Sequence, residues 1–133
     1  MKAWILAAAL LAPAIAAAEE KIAWGDDYKK GLEQAQKEKK PLLLYFWASW
    51  CEGCKQLDEG AFSDARVLEQ AKRYVCVRID VDKDEETTKK YDVHVTPDVR
   101  FTRSSGEEIA AMEDPDPEAM AAQMKKVADE YKE

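Results

Sequence analysis

Two cysteines, Cys51 and Cys54, stand behind an apolar run, Leu42-Leu43-Leu44-Tyr45-Phe46-Trp47. The run reads as a buried strand and the residues after it as the start of a helix. Cysteines at that spacing can close a small disulfide. They can also hold one thiolate, because a helix N-terminus is a region of positive potential that favours a negative sulfur. Both uses point to thiol–disulfide chemistry. On the residues alone, a purely structural disulfide and a pair of metal ligands stay open. Zinc wants four ligands, and the chain has one histidine, His94. The sharpest metal alternative is therefore copper held by Cys51, Cys54 and His94.

In the redox reading no metal is needed, because the cysteine pair is itself the electron carrier. Cys51, at the start of the helix, is expected to be the exposed attacking thiol. Cys54 is expected to be buried and to resolve the mixed disulfide. Glu52 and Gly53 shape the loop between them. The charge of Glu52 opposes a thiolate, while Lys55 and the helix dipole favour it. Cys76 lies among Val75, Val77 and Ile79 and reads as a buried structural thiol. His94 reads as a surface residue near the site. The acidic run Asp80 to Glu86 has the composition of a calcium loop but neither its central glycine nor its spacing, so it reads as a solvated helix cap.

These residues need a frame. Asp26 or Asp27 caps a helix from Tyr28 to Lys39, with Leu32, Ala35 and Gln36 toward its inner face, and Pro41 ends it. The strand Leu42 to Trp47 and the cysteine loop follow, then a helix from about Cys54. After a break at Gly60 to Ser63, Ser63 caps a helix from Asp64 to Arg73. Val75 to Asp80 is a second strand, apolar enough to be covered on both faces. Asp84 to Tyr91 is a short charged helix. Val99 to Thr102 and Glu107 to Met112 flank Ser104-Ser105-Gly106 as a hairpin, and Pro115 and Pro117 open a last helix reaching Tyr131. Strands separated by helices imply parallel pairs, and the hairpin adds an antiparallel edge. The expectation is an α/β domain with a mixed sheet of about four strands and helices on both faces.

The first residues differ from the rest. Met1-Lys2, an apolar stretch from Ala3 to Ala12, a break at Pro13 and small residues at Ala16-Ala17-Ala18 have the three-part layout of a secretory signal peptide. The apolar stretch is short for a membrane span, which needs about 20 residues. Residues 1–18 are therefore expected to be a cleaved signal, and residues 19–133 one exported domain, acting as a monomer. Export implies an oxidising compartment, the periplasm in a bacterium. The formal charge of −7 argues against nucleic acid or anionic lipid as a partner.

The segment Trp-Ala-Ser-Trp-Cys-Glu-Gly-Cys-Lys, residues 47–55, resembles the active-site segment of the thioredoxin family, and Thr96-Pro97 sits where that family has a cis-proline opposite its cysteines. The similarity runs from about Lys40 to Gly106. Trp50-Cys51, Cys54-Lys55 and Phe62-Ser63-Asp64 before Val67 resemble most the C-terminal thioredoxin-like domain of the bacterial membrane disulfide-reducing transporter and small secreted relatives. The resemblance implies a thioredoxin fold and a thiol:disulfide oxidoreductase, acting in the reductive direction on protein disulfides and recharged by a membrane electron donor. It implies that Trp50 borders a substrate groove and that a cis bond at Pro97 leaves the Thr96 backbone free to pair with an extended chain. An oxidase that donates its disulfide, and a non-catalytic binding module holding a partner protein or copper, are the rival readings. One position departs from the family. Its buried Asp, six residues before the first cysteine, is Tyr45 here. Asp58, one helical turn beyond Cys54, is the candidate substitute as proton acceptor.

Overall fold

The computed structural model describes residues 20–133. The expected signal peptide lies outside them. The elements run α1 (Tyr28–Glu38), β1 (Leu42–Trp47), α2 (Glu52–Glu59), a 3-10 turn (Ala61–Ser63), α3 (Ala65–Ala71), β2 (Val75–Asp80), α4 (Glu85–Lys90), β3 (Asp98–Thr102), β4 (Glu108–Ala111) and α5 (Pro117–Glu130). Among the described residues, no helix is long and apolar enough to cross a membrane.

Local signals set the boundaries. The Asp27 side chain, not that of Asp26, caps α1 by accepting from the Lys30 N–H at 3.0 Å. Lys39, at φ 55°, is left-handed and closes the helix before Pro41, while the Lys40 N–H donates to the Ala35 carbonyl at 3.0 Å. The cap of α3 differs from the expectation. Asp64 supplies it, accepting from the Arg66 N–H at 2.9 Å, while the Ser63 hydroxyl turns back to the Asp58 carbonyl at 2.6 Å. A carboxylate is the stronger acceptor for the orphan N–H groups, so the helix starts one residue later. Gly106, at φ +89°, takes the left-handed position of the β3–β4 turn.

The sheet order is β2-β1-β3-β4. β1 is parallel to β2, with Leu42 opposite Val75 and Trp47 opposite Asp80. β3 is antiparallel to β1, and β4 to β3. The expectation that helix-separated strands pair in parallel therefore holds for β1 and β2 but not for β3. The short α4 and the loop to Pro97 return the chain on the far side of β1, running the other way. β1 is central and its side chains alternate between two layers. Leu43 and Tyr45 face the layer closed by α2, α3 and α5, with Phe62, Val67, Met120 and Met124. Leu42, Leu44 and Phe46 face the layer with Tyr28, Ala35, Val77 and Ile79. All five β1 side chains from Leu42 to Phe46 are fully buried, the leucines and the phenylalanine each contributing about 1.5–3 kcal/mol. This anchoring fixes the C-terminal end of β1, where the cysteine loop begins.

Candidate active site

The loop after β1 turns directly into α2. Cys51 is the N-cap residue of that helix: its Sγ accepts the Cys54 N–H at 3.1 Å. The helix starts at Glu52 rather than at Cys54, because this sulfur satisfies an N–H that would otherwise be orphaned. Cys51 and Cys54 are joined as a disulfide with their Cα atoms 5.3 Å apart. The expected contrast in exposure is small in this oxidised form, with Cys51 5% exposed and Cys54 1%. Cys51 is turned inward over the first turn of α2 by its bonds to Cys54.

Trp50 beside it is 69% exposed, and its indole N–H donates to Asp82 Oδ2 at 2.8 Å. Trp47 is partly buried against the core. The Thr96-Pro97 bond is cis. The Pro97 ring lies against the cysteine loop: a Cβ on Gly53 would stand 3.0 Å from Pro97 Cδ, so glycine permits this approach. The Thr96 Oγ1 is buried without a partner, and the neighbouring Val95 is 73% exposed. Lys55 and Glu52 face each other at 4.0 Å in solvent, so the two charges largely offset one another near Cys51.

Behind Cys54 the structure gathers a group of side chains. Tyr45 is fully buried, and its hydroxyl donates to the Cys54 carbonyl at 3.2 Å. Burial first, and the nearby Asp58 charge second, push the Tyr45 phenol far above its ordinary value, so it stays a neutral donor. Asp58 Oδ2 accepts from the Arg78 guanidinium at 3.1 Å. That guanidinium lies 4.1 Å from the Trp47 ring centroid and 5.4 Å from that of Tyr45. Arg78 was absent from the sequence-derived candidates, and so was Asp82 as partner of Trp50. The available signal for Arg78 was its polarity inside a strand expected to be covered on both faces. Recognising it needed the β1–β2 register, which sets Arg78 opposite Tyr45.

Other candidates fall elsewhere. Cys76 is a free, buried thiol whose Sγ donates to the Ala71 carbonyl at 3.6 Å, and burial pushes its pKa up to about 12. His94 is exposed and bonded to Asp92 at 2.7 Å. It does not join the cysteines: among the described residues, no three His, Cys, Asp or Glu side chains form a group that could hold a metal ion. In the acidic run, Asp84 caps α4 by accepting from the Thr87 N–H at 3.0 Å and its hydroxyl at 2.6 Å.

Residues 23–104 match the thioredoxin-like family, and the chain belongs to it. It carries that family's pair of close-spaced cysteines as a disulfide. Over 91 residues it is 35% identical to the thiol:disulfide interchange protein DsbD of Campylobacter jejuni, a match covering 62% of this chain and 16% of that protein. It is 38% identical over 80 residues to thioredoxin-1 of Drosophila melanogaster, covering 60% of this chain and 71% of that one. Its fold is similar to the solved DsbH oxidoreductase, with a TM-score of 0.73, 23% identity, and coverage of 90% of this chain and 92% of that one.

Proposed function

We propose that this protein is an exported, periplasmic thiol:disulfide oxidoreductase that reduces disulfides of other proteins and is recharged by a membrane electron donor. The observation that carries the reading is the Cys51–Cys54 disulfide at the N-terminus of α2, with Cys51 as the cap. In the reduced form, the Cys51 thiolate sits where the helix dipole and the Cys54 N–H stabilise it. It attacks a substrate disulfide, bonding to one sulfur and releasing the other as a thiolate. Cys54 then attacks Cys51 Sγ. The Cys51–Cys54 disulfide forms, the second substrate sulfur leaves, and the Cys54 proton passes to a base. Tyr45, held neutral by burial, is no such base. Asp58, one helical turn beyond Cys54 on α2, is assigned that role.

Trp50 and Val95 offer exposed apolar surface beside the cysteines, and the Thr96-Pro97 segment offers backbone to an extended chain. The similarity to DsbD supports a disulfide-interchange role. The signal-like sequence of residues 1–18 supports export.

The deciding measurement is the reduction potential of Cys51–Cys54, paired with an insulin-reduction assay. A value near about −270 mV with insulin turnover supports a reductase, and one near about −120 mV makes it an oxidase. A disulfide that opens with dithiothreitol but never exchanges with insulin or another protein disulfide makes the fold a binding module.

A further inference from the structure

The two outer strands of the sheet, β2 and β4, are each met by one residue, and in the same way. At β2, the Gly25 N–H donates to the Cys76 carbonyl at 2.9 Å, and the Gly25 carbonyl accepts from the Arg78 N–H at 2.8 Å. At β4 a side chain makes the same pair of bonds. Gln123, on α5, donates from Nε2 to the Ala111 carbonyl at 2.8 Å and accepts at Oε1 from the Glu113 N–H at 3.0 Å. Between these two residues, the Met112 N–H donates to the Val99 carbonyl at 2.9 Å. Backbone groups alternate in direction along an antiparallel strand, so those of Ala111 and Glu113 point away from β3. The β3–β4 register also passes over Ile109, which stands in a bulge, 41% exposed.

An edge strand with free outward groups is a template for another strand. β4 can template its own copy. In an antiparallel pair centred on Ala111, the two copies exchange the Ala111 N–H and C=O across a two-fold axis, and each Ile109 is covered by its partner. That exchange needs the Ala111 carbonyl that Gln123 holds. The same pairing sets Glu108 of each copy opposite Asp114 of the other, a repulsion that salt screens. Stability is a poor account of the two Gln123 bonds. Both are exposed to solvent, and water satisfies the same groups at little cost.

We infer that Gln123 is a guard on the β4 edge: its amide stands in for one residue of an added strand and keeps a second copy of this chain from pairing there. The inference is independent of the redox reading.

The test compares the parent chain with Gln123→Ala by sedimentation velocity, in low and high salt, over the widest attainable concentration range. The parent should remain a single chain throughout. Gln123→Ala should shift to twice that mass as concentration rises, and at lower concentration in high salt than in low. Amide exchange identifies the surface. In dilute Gln123→Ala the Glu113 N–H should exchange about tenfold faster than in the parent, and the protection of the β4 edge should rise with concentration. Adding Ala111→Pro, which removes an outward donor and no bond to β3, should return the variant to a single chain. A Gln123→Ala protein that stays monomeric in high salt overturns the inference. So does a dimer that persists with Ala111→Pro, one that leaves the β4 amides unprotected, or one that dithiothreitol dissolves. A parent already dimeric through β4 overturns it as well. Should Gln123→Ala not fold, as judged by circular dichroism, Gln123→Met, which keeps the length of the side chain without its amide, decides by the same criteria.

Discussion

Cys51 and Cys54 differ little in exposure while joined, so their division of labour has to come from where each sulfur sits on α2. Only Cys51 occupies the cap position, where a thiolate accepts helix N–H groups. In the reduced protein, iodoacetamide should therefore label Cys51 before Cys54. Cys51→Ser should abolish insulin reduction, and Cys54→Ser should accumulate mixed disulfides visible by intact mass. Labelling in the opposite order would reverse the roles. Tyr45 makes a second prediction at this scale. Its phenol stays protonated and only donates, so Tyr45→Phe should keep the exchange rate within about twofold. The lost hydrogen bond should cost stability on the order of 1 kcal/mol, measured by urea unfolding. A large fall in rate with the stability intact would return Tyr45 to the proton path.

The element that matters most is the first turn of α2, and the charges around it are open to solvent. Glu52 is exposed, with Lys55 its partner at 4.0 Å. Glu52→Gln should speed alkylation of reduced Cys51 at neutral pH, by no more than about twofold, since exposed charges are screened over about 10 Å at 0.1 M salt. The gain should shrink as salt is raised; a gain that ignores salt would point to a change of loop shape. Elements whose signals are local were legible in the sequence. β1 and β2 match their expected bounds, because each is an apolar run flanked by breakers or charges. The start of α2 was read late. Gly53 argues against a helix locally, and the sulfur that caps it does so only in the folded turn. The direction of β3 was misread, because a helix between strands does not say on which side of β1 the chain returns. The cysteine pair was plain from spacing. Arg78 and Asp82 were not, since each meets its partner across a strand register or a loop that no local pattern encodes.

At the scale of the whole molecule, four weakly acidic groups among the described residues are buried in their neutral form. Burial, the first cause in each, raises Cys76 to about 12 and lifts Tyr45, Tyr74 and Tyr91 above their ordinary values. In the unfolded chain, Cys76 loses its proton from about its ordinary value of 9.0, while the folded protein keeps it until about 12. The unfolded state then binds fewer protons, so stability falls as pH rises through that window. One such group gives a slope of at most about 1.4 kcal/mol per pH unit. Urea unfolding at about pH 8 and pH 10 should show the fall, and Cys76→Ala should flatten part of it. The strand order adds a consequence for synthesis. A chain made from its N-terminus carries both β1 and β2 once Asp80 has emerged, but the core layer that buries Cys76 also takes Phe101, Met120 and Met124, which come later. Pro97, which covers the cysteine loop, is made later. The third sulfur is thus fully withdrawn only when the last helix has docked, so mispairing competes until the whole domain has closed.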